Sequence, residues 1–238
     1  MARPFAAFDI DGTIIRWQLY HAIGDALARA GHIEPEAFSS VKAARMDWKR
    51  RTGNDGFAAY EHRLVEVFDN AMRGLSVSEF EAATEVVFEE YKDQVYTYTR
   101  DLIRDLQSKG YLLFAISGSP SVIVQKFAAH YGFDDFAATN YEVNGGVFTG
   151  IKDLSVGKKP QLLAALIGSY EAATAGSIAV GDSEGDIDML AMTEQPIAFN
   201  PTRGLYEHAR ANGWQIVLER KNVVYELSSR EGSYKLND

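Results

Sequence analysis

The chain of 238 residues contains no cysteine. This absence excludes disulfides, thiolate catalysis and zinc sites with cysteine ligands, and it fits a protein of the reducing cytoplasm. Long hydrophobic runs are also missing, since no apolar stretch approaches the ~20 residues that a transmembrane helix needs. The start, Met1-Ala2-Arg3-Pro4-Phe5, lacks the long apolar segment and small-residue cleavage site of a signal peptide. We therefore expect a cytoplasmic protein without a membrane partner.

Positive charge is in deficit, with 24 Lys and Arg against 33 Asp and Glu, which gives a formal net charge of −9. An acidic chain without a long basic stripe is a poor candidate for nucleic-acid binding. The short basic cluster Lys49-Arg50-Arg51 is typical of a solvated helix end. Small anionic substrates stay possible, because a bound metal ion can reverse the sign of the local field.

Hydrophobic residues make up 46% of the chain, which is enough for one core carrying a smaller insert. The apolar run Phe5–Phe8 predicts a buried strand that ends at Asp9. From about Trp17 to Tyr96 apolar residues recur at helical spacing, which predicts three or four helices packed as a bundle. Ser76 followed by Glu79 resembles a capping box that opens one of these helices. We therefore predict a core of residues 1–15 and 97–238 and a helical cap of residues 16–96.

After this block, predicted strands and helices alternate, which favours an α/β fold with a parallel sheet covered on both faces. One hairpin is expected, because Asn144-Gly145-Gly146 suits a tight turn. The polar end, Ser228 to Asp238, is expected to be disordered. The remaining strands are predicted at residues 111–116, 178–180, 196–199 and 214–218.

Polar side chains concentrate in the loops that follow three of the predicted strands. In open parallel sheets, ligands bind beyond the carboxyl ends of the strands, so these loops are expected to form one site. A cation, Lys158 or Lys159, lies at a predicted helix start between the last two loops. The loop residues are Asp9 and Asp11 after the first strand, Ser117, Gly118 and Ser119 after the second, and Asp182, Ser183 and Asp186 after the third.

Four segments together resemble the motifs of the haloacid dehalogenase (HAD) superfamily, in the family's order. The helical insert directly after the first motif resembles the type C1 cap of the phosphoserine-phosphatase-like branch, subfamily IB. The resemblance implies a Rossmann-like parallel-sheet core with an inserted helical-bundle cap. The four segments are Asp9-Ile10-Asp11-Gly12-Thr13, Ser117-Gly118-Ser119, Lys159-Pro160-Gln161-Leu162-Leu163 and Gly181-Asp182-Ser183-Glu184-Gly185-Asp186.

This resemblance implies a magnesium-dependent phosphatase for small phosphomonoesters. Asp9 would attack phosphorus and become an aspartyl-phosphate, and Asp11 would act as general acid and then general base. Lys159, preferred over Lys158 by its spacing from Leu162 and Leu163, would offset the charge of the transferring phosphoryl group. Ser117, Gly118 and Ser119 would bind the phosphoryl oxygens. The implied Mg²⁺ site consists of Asp9, Asp182, the backbone carbonyl of Asp11, and Asp186, which would hold either the lysine or a metal-bound water.

L-phosphoserine is the first candidate substrate, although the chain departs from the phosphoserine phosphatase pattern. Gln18 stands where that family has a glutamate for the substrate amine, and Gly185 replaces the usual asparagine of the fourth motif. Arg63 is the nearest match to the arginine that binds the substrate carboxylate, with Arg16, Arg45 and Arg51 as rivals. These departures count against phosphoserine specificity and leave the phosphatase chemistry unchanged.

Other interpretations remain open at this stage. A phosphotransferase or mutase could use the same aspartyl-phosphate, and a phospho-acceptor module such as a receiver domain could carry it without catalysis. Single residues also have structural explanations, since Asp11-Gly12 suits a turn and Ser117 a helix cap. The protein could be a monomer or a homodimer.

Overall fold

The computed structural model of the chain describes residues 2–50, 56–221, 223–230 and 233–237. The chain forms two compact units. The core unit consists of Met1–Gln18, Glu90–Thr139 and Leu154–Asp238, and the helical unit consists of Leu19–Glu89 and Asn140–Asp153.

The core unit is built on a sheet with the strand order β3-β2-β1-β5-β6-β7-β8-β9. Pairing is parallel from β3 to β7 and antiparallel between β7, β8 and β9. The strands of the chain are β1 (Pro4–Phe8), β2 (Leu112–Pro120), β3 (Asp135–Asn144), β4 (Val147–Asp153), β5 (Ala173–Gly181), β6 (Gln195–Phe199), β7 (Gln215–Arg220), β8 (Val223–Arg230) and β9 (Ser233–Leu236).

Helices cover both faces of this sheet, as the alternation of strands and helices predicts. Phe5 on β1 and Phe114 on β2 belong to the core cluster that contains Leu163 and Leu205 from the covering helices. The central strands are buried on both faces and therefore read as continuous apolar runs. The core helices are α5 (Thr97–Ser108), α6 (Ser121–Tyr131), α7 (Lys159–Ser169), α8 (Ile187–Leu190, after the 3₁₀ turn Glu184–Asp186) and α9 (Arg203–Asn212).

The helical unit contains α1 (Leu19–Arg29), α2 (Pro35–Arg50), α3 (Gly56–Met72) and α4 (Val77–Tyr91). The predicted capping box is present at the start of α4. The Glu79 carboxylate accepts the Ser76 N–H at 3.0 Å, and the Ser76 hydroxyl accepts the Glu79 N–H at 3.2 Å. These two bonds satisfy amides that have no partner within the helix.

The hairpin of β4 and the second half of β3 belongs to the helical unit, whereas the sequence analysis placed residues 140–153 in the core. Phe148 of β4 packs edge-on against Phe80 of α4, with ring centroids 5.2 Å apart. The Lys152 ammonium binds the Asp69 carboxylate of α3 at 2.6 Å. These contacts join residues far apart in the sequence, so no local sequence pattern indicates that the hairpin belongs to the helical unit.

The expectation of disorder at the chain end is wrong for the described residues after Ser228. Strand β8 continues to Arg230, and β9 pairs with it in antiparallel register, with Leu236 opposite Leu227. The Tyr234 hydroxyl donates to the carbonyl oxygens of Ala209 at 2.9 Å and Trp214 at 2.7 Å. Strand β9 lies at the edge of the sheet, and few side chains of this segment are buried. The polar composition of the segment therefore gives no strand signal.

Among the residues that the structure describes, none of the helices has the length and apolar character that crossing a membrane would require.

Replacing Tyr234 with phenylalanine tests how β9 is held. The change removes the hydroxyl that satisfies two carbonyl groups of the core unit, so we expect the free energy of unfolding to fall by about 1 kcal/mol. Urea denaturation measures this value. The matched control is Tyr225→Phe, which removes the hydroxyl of an exposed tyrosine on β8 and should change stability by less than about 0.5 kcal/mol. Equal effects of the two changes would contradict this role for Tyr234.

Candidate active site

Three neighbouring strands deliver the polar loops to the same edge of the sheet. Strand β1 lies between β2 and β5, and all three run parallel. Asp9 directly follows β1, and its N–H donates to the Val180 carbonyl of β5 at 2.9 Å. The predicted convergence of the loops after these strands therefore follows from the strand order.

Lys159 is the cation of the site. Its ammonium group donates to Asp9 Oδ1 and to Asp186 Oδ1, each at 2.6 Å, and the residue is only 8% exposed. Lys158, the alternative from sequence, is exposed. The difference arises because α7 begins at Lys159, with Pro160 in its first turn, and this start directs the second lysine inward.

Asp186 holds the loop that carries Asp182. Its second oxygen, Oδ2, accepts the N–H groups of Asp182 at 3.2 Å and Ser183 at 3.0 Å, and the Ser183 hydroxyl at 2.9 Å. Asp186 is fully buried, and both of its oxygens are bonded within the protein. The side chain therefore fixes the backbone on either side of Asp182 as well as the lysine.

A close approach of backbone to carboxylate brings the first and last loops together. Gly12 has φ +83°, and a Cβ placed on it would overlap the Asp182 carboxylate. Only glycine combines this backbone conformation with the required space. The turn after Asp11 is therefore packed directly against Asp182.

Asp11 faces Ser117–Ser119, which the sequence predicts as a loop but which form the irregular carboxyl end of β2, where the pairing with β3 shifts register after Ile116. This segment is called the serine loop below. The Ser117 and Ser119 hydroxyls donate to Asp11 Oδ2 at 2.8 and 2.9 Å. The Ser119 N–H donates to Ser117 Oγ at 2.9 Å. Both serines are buried, so these bonds set the orientation of the Asp11 carboxylate without competition from bulk water.

Burial and mutual repulsion make negative charge costly at this site. Burial, followed by repulsion from Asp186 and Asp11, raises the pKa of Asp9 to about 7, although Lys159 opposes the shift. Burial and repulsion from Asp9 and Asp186 raise the pKa of Asp182 to about 9. Burial alone would lower the pKa of Lys159, but the adjacent Asp9 and Asp186 carboxylates raise it overall.

The same carboxylates have the arrangement of a cation site. Asp9, Asp182 and Asp186 each offer one oxygen, and these three oxygens lie within 4.8 Å of one another. One ammonium group balances only one of the three carboxylates, so a further positive charge would relieve the repulsion. Oxygen donors of this kind suit a hard divalent cation such as Mg²⁺.

Comparison with known proteins identifies the family of the chain. The model of the haloacid dehalogenase-like hydrolase family matches residues 6–191. The chain belongs to this family. The match extends from the first strand to α8 and so includes every loop of the site.

Among proteins of known sequence, the chain is 26% identical over 208 residues to phosphoserine phosphatase SerB2 of Mycobacterium tuberculosis. The alignment covers 86% of this chain and 46% of SerB2, so the chain spans less than half of that protein's length.

Solved structures share the HAD fold of this chain. A protein of unknown function from Bordetella pertussis Tohama I has a TM-score of 0.74 at 23% identity, over 91% of this chain and 98% of its own. A phospho-aspartyl intermediate analogue of phosphoserine phosphatase has a TM-score of 0.64 at 20% identity, over 93% and 96% of the two chains. The predicted Rossmann-like core with an inserted cap is confirmed, as is the likeness to the phosphoserine phosphatase branch.

Gln18 and Arg63, the residues predicted to select the substrate, lie outside the four HAD motifs, whereas Gly185 lies within the fourth. Gln18 is half-buried at the end of the first core segment, directly before α1. Arg63 lies on α3 of the helical unit, where its guanidinium donates to Ser40 Oγ at 2.8 Å and to Glu66 Oε2 at 2.6 Å. Gly185 lies in the 3₁₀ turn after Asp182.

The rival arginines have other partners. The Arg45 guanidinium binds both oxygens of Asp25, at 3.0 and 2.9 Å, and also the Tyr60 hydroxyl. Arg16 pairs with the buried carboxylate of Glu219 in the core unit. Arg51 lies outside the described residues. Every nitrogen of the Arg45 guanidinium has a partner within the helical unit. The choice of Arg63 stays a prediction.

Two buried hydroxyls behind the serine loop, Thr139 and Ser155, were missed from sequence. The Thr139 hydroxyl donates to the Gly118 carbonyl at 2.8 Å, and the Ser155 hydroxyl donates to the Ser117 carbonyl at 2.6 Å. Neither residue lies in one of the four HAD motifs. A single threonine and a single serine carry no spacing signal, so only the fold reveals them.

Replacing Lys159 with methionine tests the buried charge arrangement. Removing the ammonium leaves Asp9 and Asp186 buried without their cation, so we expect the free energy of unfolding to fall by about 3 kcal/mol. Guanidinium denaturation without divalent metal measures this loss. Lys158→Met is the matched control and should cost less than about 0.5 kcal/mol, because that side chain is exposed. Similar losses in both variants would contradict the assignment of Lys159.

Proposed function

We propose that the protein is a phosphomonoester hydrolase that uses Asp9 as its nucleophile. The proposal is carried by one observation: the buried Asp9 carboxylate at the end of β1 lies against a buried lysine, and Asp11 is oriented by two serine hydroxyls. Nucleophile, acid–base group and phosphate-binding groups are thereby collected at one edge of the sheet. This constellation suits phosphoryl transfer, where positioning and charge compensation supply most of the catalysis.

In the first step, a carboxylate oxygen of Asp9 forms a bond to phosphorus while the bond from phosphorus to the alcohol oxygen breaks. The departing oxygen takes a proton from Asp11. In the second step, Asp11 removes a proton from water, and the resulting hydroxide oxygen attacks phosphorus and releases Asp9. Lys159 offsets negative charge on the phosphoryl group, and the Gly118 N–H binds its oxygens. The Ser117 hydroxyl, whose single proton points to Asp11 without substrate, would turn that proton to a phosphoryl oxygen when substrate binds.

The donor set fits Mg²⁺, and Asp9, Asp182 and the backbone carbonyl of Asp11 would hold it. The bound cation would compensate the negative charges of the substrate phosphate and the nucleophile, which otherwise repel each other. Asp186 is assigned a positioning role, because its oxygens already bind Lys159 and the backbone around Asp182.

A small phosphomonoester is the proposed substrate, with L-phosphoserine as the first candidate. The likeness to phosphoserine phosphatase SerB2 supports this choice. Gln18 counts against tight recognition of an ammonium group, since a neutral amide is a weaker partner than a carboxylate. A cytoplasmic location, a monomeric or homodimeric state and the absence of a nucleic-acid partner stay predictions.

Asp9→Asn tests the nucleophile. The change preserves the shape of the side chain but replaces the attacking oxygen anion. We therefore expect a folded protein whose turnover falls by at least about 1,000-fold, since removing a nucleophile costs several orders of magnitude in kcat. Release of inorganic phosphate measures turnover, and circular dichroism checks the fold. Asp188→Asn, at an exposed position on α8, is the control and should retain activity. Near-normal turnover by Asp9→Asn would refute the mechanism.

A panel of phosphomonoesters, with L-phosphoserine among them, tests both the reaction and its metal. We expect phosphate release into water with Mg²⁺, loss of activity with a chelator, and recovery when excess Mg²⁺ is added. Release without an added alcohol separates a hydrolase from a phosphotransferase. Full activity after thorough chelation would contradict the metal assignment, and no hydrolysis of any panel member would contradict the proposed function.

A further inference from the structure

Thr139 and Ser155 mark the two points at which the chain leaves the core unit for the hairpin and returns to it. Thr139 is the last residue of one core segment, and Ser155 is the second residue of the next. Thr139 is 1% exposed and Ser155 is 2% exposed. Their hydroxyl oxygens lie 3.1 Å apart, so they form a buried pair at the base of the hairpin.

The hydroxyl pair has a defined direction of hydrogen bonding. Thr139 donates its proton to the Gly118 carbonyl, and Ser155 donates its proton to the Ser117 carbonyl. The Ser155 N–H then donates to the Thr139 oxygen at 3.3 Å. Because each hydroxyl has a single proton, both protons are directed to consecutive carbonyls of the serine loop.

Holding these carbonyls also orients the amides of the serine loop. In a trans peptide the C=O and the following N–H point in opposite directions from a rigid plane. The Ser117 carbonyl therefore sets the Gly118 N–H, and the Gly118 carbonyl sets the Ser119 N–H. The Ser119 N–H donates to Ser117 Oγ, which itself donates to Asp11, so this amide lies on the side of the segment that faces Asp11.

We propose that Thr139 and Ser155 are positioning residues for phosphoryl binding. Ser155 aims the Gly118 N–H at the phosphoryl group, and Thr139 fixes the Ser119 N–H that holds the Ser117 hydroxyl. The inference rests on the proposed function for the identity of the ligand. Neither residue touches the reacting atoms; both act through the backbone of Ser117 and Gly118. Without them, two loop carbonyls lose their partners and the peptide planes can rotate away from the phosphoryl oxygens.

The test compares binding of inorganic phosphate, in the presence of Mg²⁺, by the full-length protein and its variants. Thr139→Val keeps the branched shape and removes the hydroxyl, Ser155→Ala removes the other hydroxyl, and Thr139→Ser retains it. We expect phosphate affinity and kcat/KM to fall about tenfold in the first two variants. That loss is smaller than the 100-fold or more for deleting a donor outright, because the amides are misaligned and not removed.

Two matched controls distinguish a loss of amide orientation from a general loss of stability. Thr84→Val removes a buried hydroxyl that donates to the Glu81 carbonyl in the helical unit. Ser177→Ala removes a buried hydroxyl of β5 that accepts the Glu194 N–H. Both should lower the melting temperature and leave phosphate affinity within twofold of the original protein. Thr139→Ser should restore most of the affinity.

Phosphate affinity within twofold of the original in folded Thr139→Val and Ser155→Ala would overturn the proposal, as would equal losses in the two controls. A protein that does not bind phosphate would overturn it as well. If Thr139→Val does not fold, Ser155→Ala and Thr139→Ser decide the question. Binding without hydrolysis of any phosphomonoester would refute the proposed function, while the affinities of the variants would still decide the role of these hydroxyls.

Discussion

The ammonium of Lys159, set between the carboxylates of Asp9 and Asp186, is the interaction on which the rest of the site depends. All three groups are buried, so each would be unfavourable without the others. The lysine satisfies one oxygen of each carboxylate and brings the start of α7 to the ends of β1 and β5. Negative charge nevertheless exceeds positive charge at this edge, and that excess favours a divalent cation.

The charged groups can lie this close together because the backbone leaves space for them and binds them. Gly12 lets the loop after β1 touch Asp182, and Asp186 accepts the N–H groups of Asp182 and Ser183 in the loop after β5. Behind the serine loop, the hydroxyls of Thr139 and Ser155 hold two carbonyls in the core. The reactive groups are thus supported by a second layer of hydrogen bonds that reaches the base of the hairpin.

The features predicted correctly from the sequence are those with a local pattern of residues. Asp9 and Asp11 follow one apolar strand, Asp182 follows another, and Ser117–Ser119 end a third. The rule that ligands bind at the carboxyl ends of parallel strands was therefore enough to predict that these residues converge. The capping box of Ser76 and Glu79 was also predicted correctly, because its two residues are only three positions apart in the sequence. The prediction of disorder at the chain end was wrong, because β8 pairs with β7 and β9 pairs with β8 despite the polar composition of the segment.

The fold class and the polar residues at the strand ends could be predicted from the amino-acid sequence, because buried strands and the loops after them have local signatures. The roles of these residues came from the resemblance of four segments to the HAD motifs. Three features follow only from the tertiary structure: the burial of Lys159, the position of the hairpin in the helical unit, and the hydroxyl groups that bind the carbonyls of the serine loop. Thr139 and Ser155 are separated from Gly118 by 21 and 37 positions in the sequence. Contacts across such separations depend on how strands are ordered in the sheet, and no local pattern of residues encodes that order.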